Sequence, residues 1–156
     1  MNDQIAEFDA LTQVIQDIYE TKIHFNRVLG LRIESLKPSC IRVRFDMRED
    51  LIGNYVKGIL HGGVISATLD ATGGLIASID LLKKMAGRPL KEIEERISRV
   101  GTIDFRIDFL RPGLGRYFIA SGDVMRGGRR VTVTRTELKN DEDILIAVGT
   151  GTYLVG

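Results

Sequence analysis

Apolar and polar residues alternate along the chain in two rhythms, one helical and one strand-like. Over residues 5–25 apolar side chains recur at Phe8, Leu11, Ile15, Ile18 and Tyr19, the spacing of an amphipathic helix. Gly30 supplies a stop for it. Residues 31–36 and 41–45 alternate as strands do, with Lys37-Pro38-Ser39 as the turn between them. Residues 46–60 show no period and are expected to form an irregular connection. Residues 60–79 are almost all small or apolar around one carboxylate, Asp70, which predicts a helix buried on nearly every side. After a basic stretch with Lys83, Lys84 and Arg88, residues 90–97 predict a short surface helix carrying Glu92, Glu94 and Glu95. Strand alternation then resumes. Residues 102–109 place Ile103, Phe105, Ile107 and Phe109 on one face, and Arg111-Pro112-Gly113 turns the chain. Strands follow at 117–125, 131–138 and 144–155, with turns at Gly127-Gly128 and 139–142. The sum is an α+β chain in which a sheet of about six strands curls round one apolar helix, because only enclosure suits a helix with so little polar surface.

A chain of 156 residues is expected to form one domain, 1–156, with residues 1–29 as an N-terminal helical segment. The formal net charge of +1 and the absence of a basic tract give no case for a nucleic-acid partner. One cysteine, Cys40, permits no internal disulfide, fits a reducing, cytoplasmic setting, and is expected to pack as a small side chain. Two histidines and that cysteine, far apart in sequence, match no metal spacing. His24 sits where a helix-end surface residue is expected. The acidic start of the chain lacks the basic end of a signal peptide. The apolar helix, interrupted by Asp70, by Ser and Thr residues and by four glycines, is a poor membrane span.

The chemistry concentrates in His61-Gly62-Gly63 and Asp70. Free N–H groups at a helix start attract negative charge, and glycine lets a substrate approach the backbone. An N–H of Gly62 or Gly63 can therefore hold a developing oxyanion, while Asp70 acts as base on a water or as nucleophile. His61, with no nearby acid to orient it, reads as a hydrogen-bonding residue at the helix start. In the preceding loop Asn54 is either a substrate-positioning group or part of a Gly-Asn turn. His61 and Asp70 are nine positions apart, about 13 Å along a helix, so one chain cannot apply both to one atom. Two antiparallel copies of the helix can, which predicts a two-fold dimer with shared sites. A bland alternative is that Asp70 merely bonds a loop.

His61-Gly62-Gly63, Leu69-Asp70, Gly73-Gly74 and the run from Thr102 to Pro112 resemble the hotdog-fold thioesterases of the PaaI type. Phe25 to Gly30, Ile59 to Ile65 and Arg99 to Asp104 are similar to the bacterial YigI-type acyl-CoA thioesterases. The resemblance implies a curved antiparallel sheet round a central helix, protomers whose sheets join, and dimers that pair into tetramers. It implies Asp70 as base or nucleophile, Gly62 of the facing protomer as oxyanion donor, and Thr102 as the hydroxyl that orients the attacking water. The family's loop Asn lies six residues before the His, where this chain has Tyr55; Asn54 is one place further away. The implied reaction is hydrolysis of medium- or long-chain fatty acyl-CoA, in fatty acid metabolism, without a cofactor. Arg111, Arg129 and Arg130 are candidates for the coenzyme A phosphates. Ile103, Phe105 and Ile107 are candidates to border the acyl chain. The alternative is a non-catalytic acyl-CoA-binding or sensing protein on the same fold.

Overall fold

The structure, a computed structural model, describes residues 2–156, with side chains from residue 10 onward. The acidic start and Phe8 lie outside the described side chains. Helix α1 (Asn2–Asp17) runs into a π-helical turn (Ile18–Lys22), and Ile23 then breaks the path with an extended backbone. Helix α2 (His24–Leu29) follows and ends at Gly30 in the left-handed conformation, φ 72°. The expected single helix over 5–25 is thus two helices joined by a wider turn. The buried Asn26 side chain fixes the junction by donating to the Tyr19 carbonyl at 3.0 Å. His24 is exposed at the start of α2, as expected.

Strands β1 (Arg32–Lys37) and β2 (Cys40–Asp46) form the expected hairpin. Cys40 does not pack: it is the first residue of β2, just past the turn, and is exposed. Residues 46–60 are more ordered than their sequence suggests. A 3-10 turn at Glu49–Leu51 leads into a small ribbon, β3 (Ile52–Asn54) with β4 (Ile59–Leu60). Helix α3 (Gly62–Lys84) and the short α4 (Leu90–Ile97) precede β5 (Gly101–Phe109), β6 (Tyr117–Gly127), β7 (Val131–Asn140) and β8 (Leu145–Leu154).

Six strands form one antiparallel sheet in the order β1-β2-β6-β7-β8-β5. The sheet curves round α3, which is long and apolar enough to span a membrane but is largely buried within the fold. Leu69, Ile76, Ala77 and Ile79 of α3 face Val43, Phe45, Phe118, Ala120 and Leu138 of the sheet, all buried. Phe45 and Phe118 stack with their ring centroids 5.2 Å apart. The inner face of β7 carries three buried threonines, Thr132, Thr134 and Thr136, before Leu138, and these compact side chains let the helix approach closely.

Strand β5 departs from strict alternation. Thr102 pairs with Tyr153 and Asp104 with Thr152, so Ile103 is the extra residue of a bulge. One extra residue reverses the facing of everything before it. Phe105 and Ile107 keep their inward side, whereas Thr102 turns inward beside Tyr153. Ile103 and Phe109, expected on the apolar face, are 57% and 56% exposed. Among the described residues no strand pairs with the outer edge of β5, the last strand of the sheet order.

Replacing Phe118 by Ala should cost about 3–5 kcal/mol of stability, since its fully buried ring leaves a cavity against Phe45 and α3. Denaturant midpoints of the two proteins measure this directly.

Candidate active site

The mouth of α3 is built by local constraints. His61 takes an extended conformation as the N-cap, and its Nδ1 accepts from the Gly63 N–H at 2.8 Å. The ring thus caps the helix through its Nδ1 atom. The His61 N–H in turn donates to the Leu51 carbonyl at 2.8 Å. A Cβ on Gly53 would lie 2.8 Å from the His61 Cα, so β3 must be glycine where it presses on the cap. A Cβ on Gly63 would sit 2.9 Å from His61 Nδ1. The two glycines of the motif therefore differ. Gly63 makes room for the cap and spends its N–H on it. Gly62, at the first helical position, has no intrahelical acceptor for its N–H and lies beside the Phe109 ring. The Asn54 carboxamide accepts from the Lys57 N–H at 3.1 Å and closes the turn of the β3–β4 ribbon.

Two turns further along α3, Asp70 is half-buried and held by two hydroxyls. Thr102 Oγ1 donates to Asp70 Oδ1 at 2.8 Å. The Tyr153 hydroxyl lies 2.9 Å from the Asp70 carbonyl oxygen and 3.2 Å from Oδ1, and donates to that pair. The β5 bulge is what brings Thr102 to this position. Burial, then the Asp70 charge, push the Tyr153 phenol far above its ordinary range, so it stays protonated as a donor. Burial raises Tyr19 in the same way. Tyr153 escaped the sequence reading because it stands 83 positions from Asp70 and looks like an ordinary inward strand residue. The available signal was Gly73, a glycine inside a helix, which costs about 1 kcal/mol relative to Ala and calls for a reason.

Asp70 opens onto a groove of about 300 Å³. Its floor is one face of α3: Asp70, Ala71, Gly74, Leu75 and Ser78. These positions span roughly 12 Å of helix. One wall is Ile15, Ile18, Tyr19 and Ile23 of the N-terminal segment; the other is Ile97, Val100, Gly101 and Thr102. Of its other polar side chains, Asn26 bonds the Tyr19 carbonyl and Ser78 the Gly74 carbonyl at 2.9 Å, while the Tyr19 hydroxyl is buried with no hydrogen-bond partner among the described residues. The groove is thus apolar along its length, with a carboxylate and a hydroxyl at one end. Ile103, Phe105 and Ile107 do not line it: the bulge leaves Ile103 exposed, and Phe105 and Ile107 pack against the core. A larger depression of about 580 Å³ lies on the outer face of the sheet among Arg42, Asp123, Arg135 and Glu137, and includes none of the Asp70 group.

The three candidate phosphate-binding arginines do not converge within one chain. Arg111 follows β5 near the helix mouth, where Gly113 accepts from the Leu60 N–H, and its guanidinium donates to the Leu145 carbonyl at 2.9 Å. Arg129 and Arg130 lie in the β6–β7 hairpin beside Lys84, at the opposite end of α3. A helix of this length separates the two groups by roughly 33 Å.

Residues 57–147 match the Thioesterase superfamily. The chain belongs to that family. It is a thioester hydrolase with the hotdog fold, and α3 is the helix inside the sheet. It is 38% identical to the medium/long-chain acyl-CoA thioesterase YigI of Salmonella typhimurium, over 92% of this chain and 93% of the relative. The YigI protein of Escherichia coli strain K12 is related to the same extent. A solved structure from Shewanella oneidensis, related to the thioesterase superfamily, superposes with a TM-score of 0.92 at 39% identity, over 96% of this chain and 97% of that one. Another from Syntrophus aciditrophicus gives 0.85 at 41% identity, covering 97% and 99%.

For this hydrolase the cap is testable by itself. His61→Ala should lose about 0.5–2 kcal/mol of stability, while His61→Asn, which retains a side-chain acceptor, should lose much less. Thermal midpoints of the two variants against the parent decide it.

Proposed function

We propose that the chain hydrolyses medium- to long-chain fatty acyl-CoA, with the acyl chain in the groove along α3 and the thioester carbonyl at Asp70. The observation that carries this reading is the groove itself: an apolar channel that ends on a carboxylate held by two hydroxyls. Its apolar walls suit an unbranched hydrocarbon chain, and the names of the YigI relatives agree with that class of substrate.

Asp70 acts as base or as nucleophile. As base it takes a proton from a water whose oxygen attacks the thioester carbon. The tetrahedral oxyanion is held by a backbone N–H, and collapse expels the coenzyme A thiolate, which recovers the proton. As nucleophile Asp70 attacks the thioester carbon and expels the coenzyme A thiolate to leave an acyl anhydride, which water opens to the fatty acid and the Asp70 carboxylate, its proton passing to the thiolate. Thr102, beside Asp70, is the group to orient the water in either case. Of the two glycines Gly62 is the oxyanion donor, since the Gly63 N–H is committed to His61.

Gly62 and Asp70 of one helix stand about 12 Å apart, too far to share one carbonyl. The site is therefore completed by a second copy of the chain. The free edge of β5, with Ile103, Phe109 and Leu110 exposed along and just beyond it, is the surface through which two sheets would join. Such pairing sets the two α3 helices antiparallel and brings Gly62 of one toward Asp70 of the other. It also offers a way for Arg111 of one copy and Arg129 and Arg130 of the other to serve one coenzyme A. Further pairing into a dimer of dimers, and action in the cytoplasm on fatty acid metabolism, complete the proposal.

Thiol release measured over an acyl-CoA chain-length series tests the reaction, because hydrolysis frees coenzyme A and mere binding does not. Asp70→Asn should lower turnover by about 10²–10⁴-fold while a non-hydrolysable acyl-CoA analogue still binds. Unchanged turnover removes Asp70 from the mechanism. Gly74 tests the groove. A Cβ there meets nothing closer than 3.6 Å, so Gly74→Leu should fold and fill the floor. The ratio of long-chain to short-chain turnover should then fall at least about 10-fold. An unaltered ratio places the acyl chain elsewhere.

A further inference from the structure

We propose that Tyr153 is a positioning residue that fixes the rotamer of Asp70, so that Oδ2 is the oxygen presented to the reacting atoms. The inference rests on the role proposed for Asp70 and deepens it.

The geometry is asymmetric. Both side-chain donors that reach the carboxylate, Thr102 at 2.8 Å and Tyr153 at 3.2 Å, reach the same oxygen, Oδ1. Tyr153 also reaches the backbone carbonyl of Asp70 at 2.9 Å, so one hydroxyl spans the main chain and the side chain of a single residue. Such a bridge ties the torsions of that side chain to the helix. With Oδ1 occupied by two donors, Oδ2 keeps its lone pairs for a water or an acyl carbon.

The surroundings of Tyr153 show how closely this placement is specified. A Cβ on Gly73 would lie 2.2 Å from the Tyr153 hydroxyl oxygen and 2.8 Å from the ring carbon that carries it. A Cβ on Gly151, two residues before Tyr153 on the same face of β8, would lie 2.6 Å from both the ring and the hydroxyl. Two glycines, one mid-helix and one mid-strand, therefore form a slot that admits this phenol and leads it to Asp70. A tyrosine kept only for packing needs no such clearance at its hydroxyl. The ring is 1% exposed and does not reach solvent, so the hydroxyl has no role at the surface.

Tyr153→Phe removes the bridge and keeps the ring. Thr102→Val removes the second donor at an exposed position where folding is not at risk. In steady-state acyl-CoA hydrolysis, Tyr153→Phe should lower kcat by about 10- to 100-fold with KM within about twofold of the parent, as expected when a catalytic group is held less accurately. Because both donors act on one oxygen, the double variant should lose less than the product of the single losses. Gly73→Ala, which crowds the hydroxyl without removing it, should also lower kcat, and by a smaller factor in the Tyr153→Phe background. Thermal midpoints read alongside separate these effects from loss of fold. A kcat within about twofold of the parent in Tyr153→Phe overturns the proposal, and so do strictly multiplicative losses with Thr102→Val. If the parent releases no thiol, or Asp70→Asn is as active as the parent, the reading of Asp70 itself fails instead.

Discussion

The structure depends on enclosing α3. A helix with apolar side chains on most of its surface is stable in water only when other elements cover it, and no single layer can do so. The sheet must curve, and the N-terminal segment must close the side that the sheet leaves open. The bulges in β1, β5 and β6 belong to that curvature. The π-helical turn and the break at Ile23 let the N-terminal segment bend over the helix at Tyr19. The groove lies where this cover meets α3 and the approach to β5, so the site follows from the enclosure.

Within that enclosure, glycine decides where elements approach. Gly53 and Gly63 admit the His61 ring at the helix mouth, and Gly73 and Gly151 admit Tyr153 near its centre. Gly149 does the same for Phe105, whose ring a Cβ would meet at 2.6 Å. Gly74 differs, since its missing side chain leaves open space in the groove floor and relieves no contact. The adjacent pair Gly73-Gly74 thus serves two sides of one helix, the inner side for Tyr153 and the outer for the groove.

Much of this was legible in the chain. Strand alternation, the helix that is apolar all round, and the turn residues located all six strands of the main sheet and the helices α3 and α4. The carboxylate inside an apolar run marked Asp70, and His61 was recognisable as a helix-start residue. The errors were of one kind. The β5 bulge is invisible in a run that alternates strictly, yet it turns Thr102 inward and leaves Ile103 exposed. Cys40 reads as a packing residue because nothing near it in the chain would activate its thiol, but its place at the start of β2, just past the turn, leaves it exposed. Residues 46–60 lack a period because β3 and β4 are too short to show one.

By itself the sequence determined the layers. Apolar periodicity is a local property, and burial demands a partner for every apolar face, so helix, sheet and enclosure follow from residue order. Only the tertiary structure decided which hydroxyls meet Asp70 and which residues wall the groove. Those contacts join positions dozens of residues apart, and they depend on single-residue shifts of register and on the absence of one Cβ, to which a hydrophobic pattern is blind.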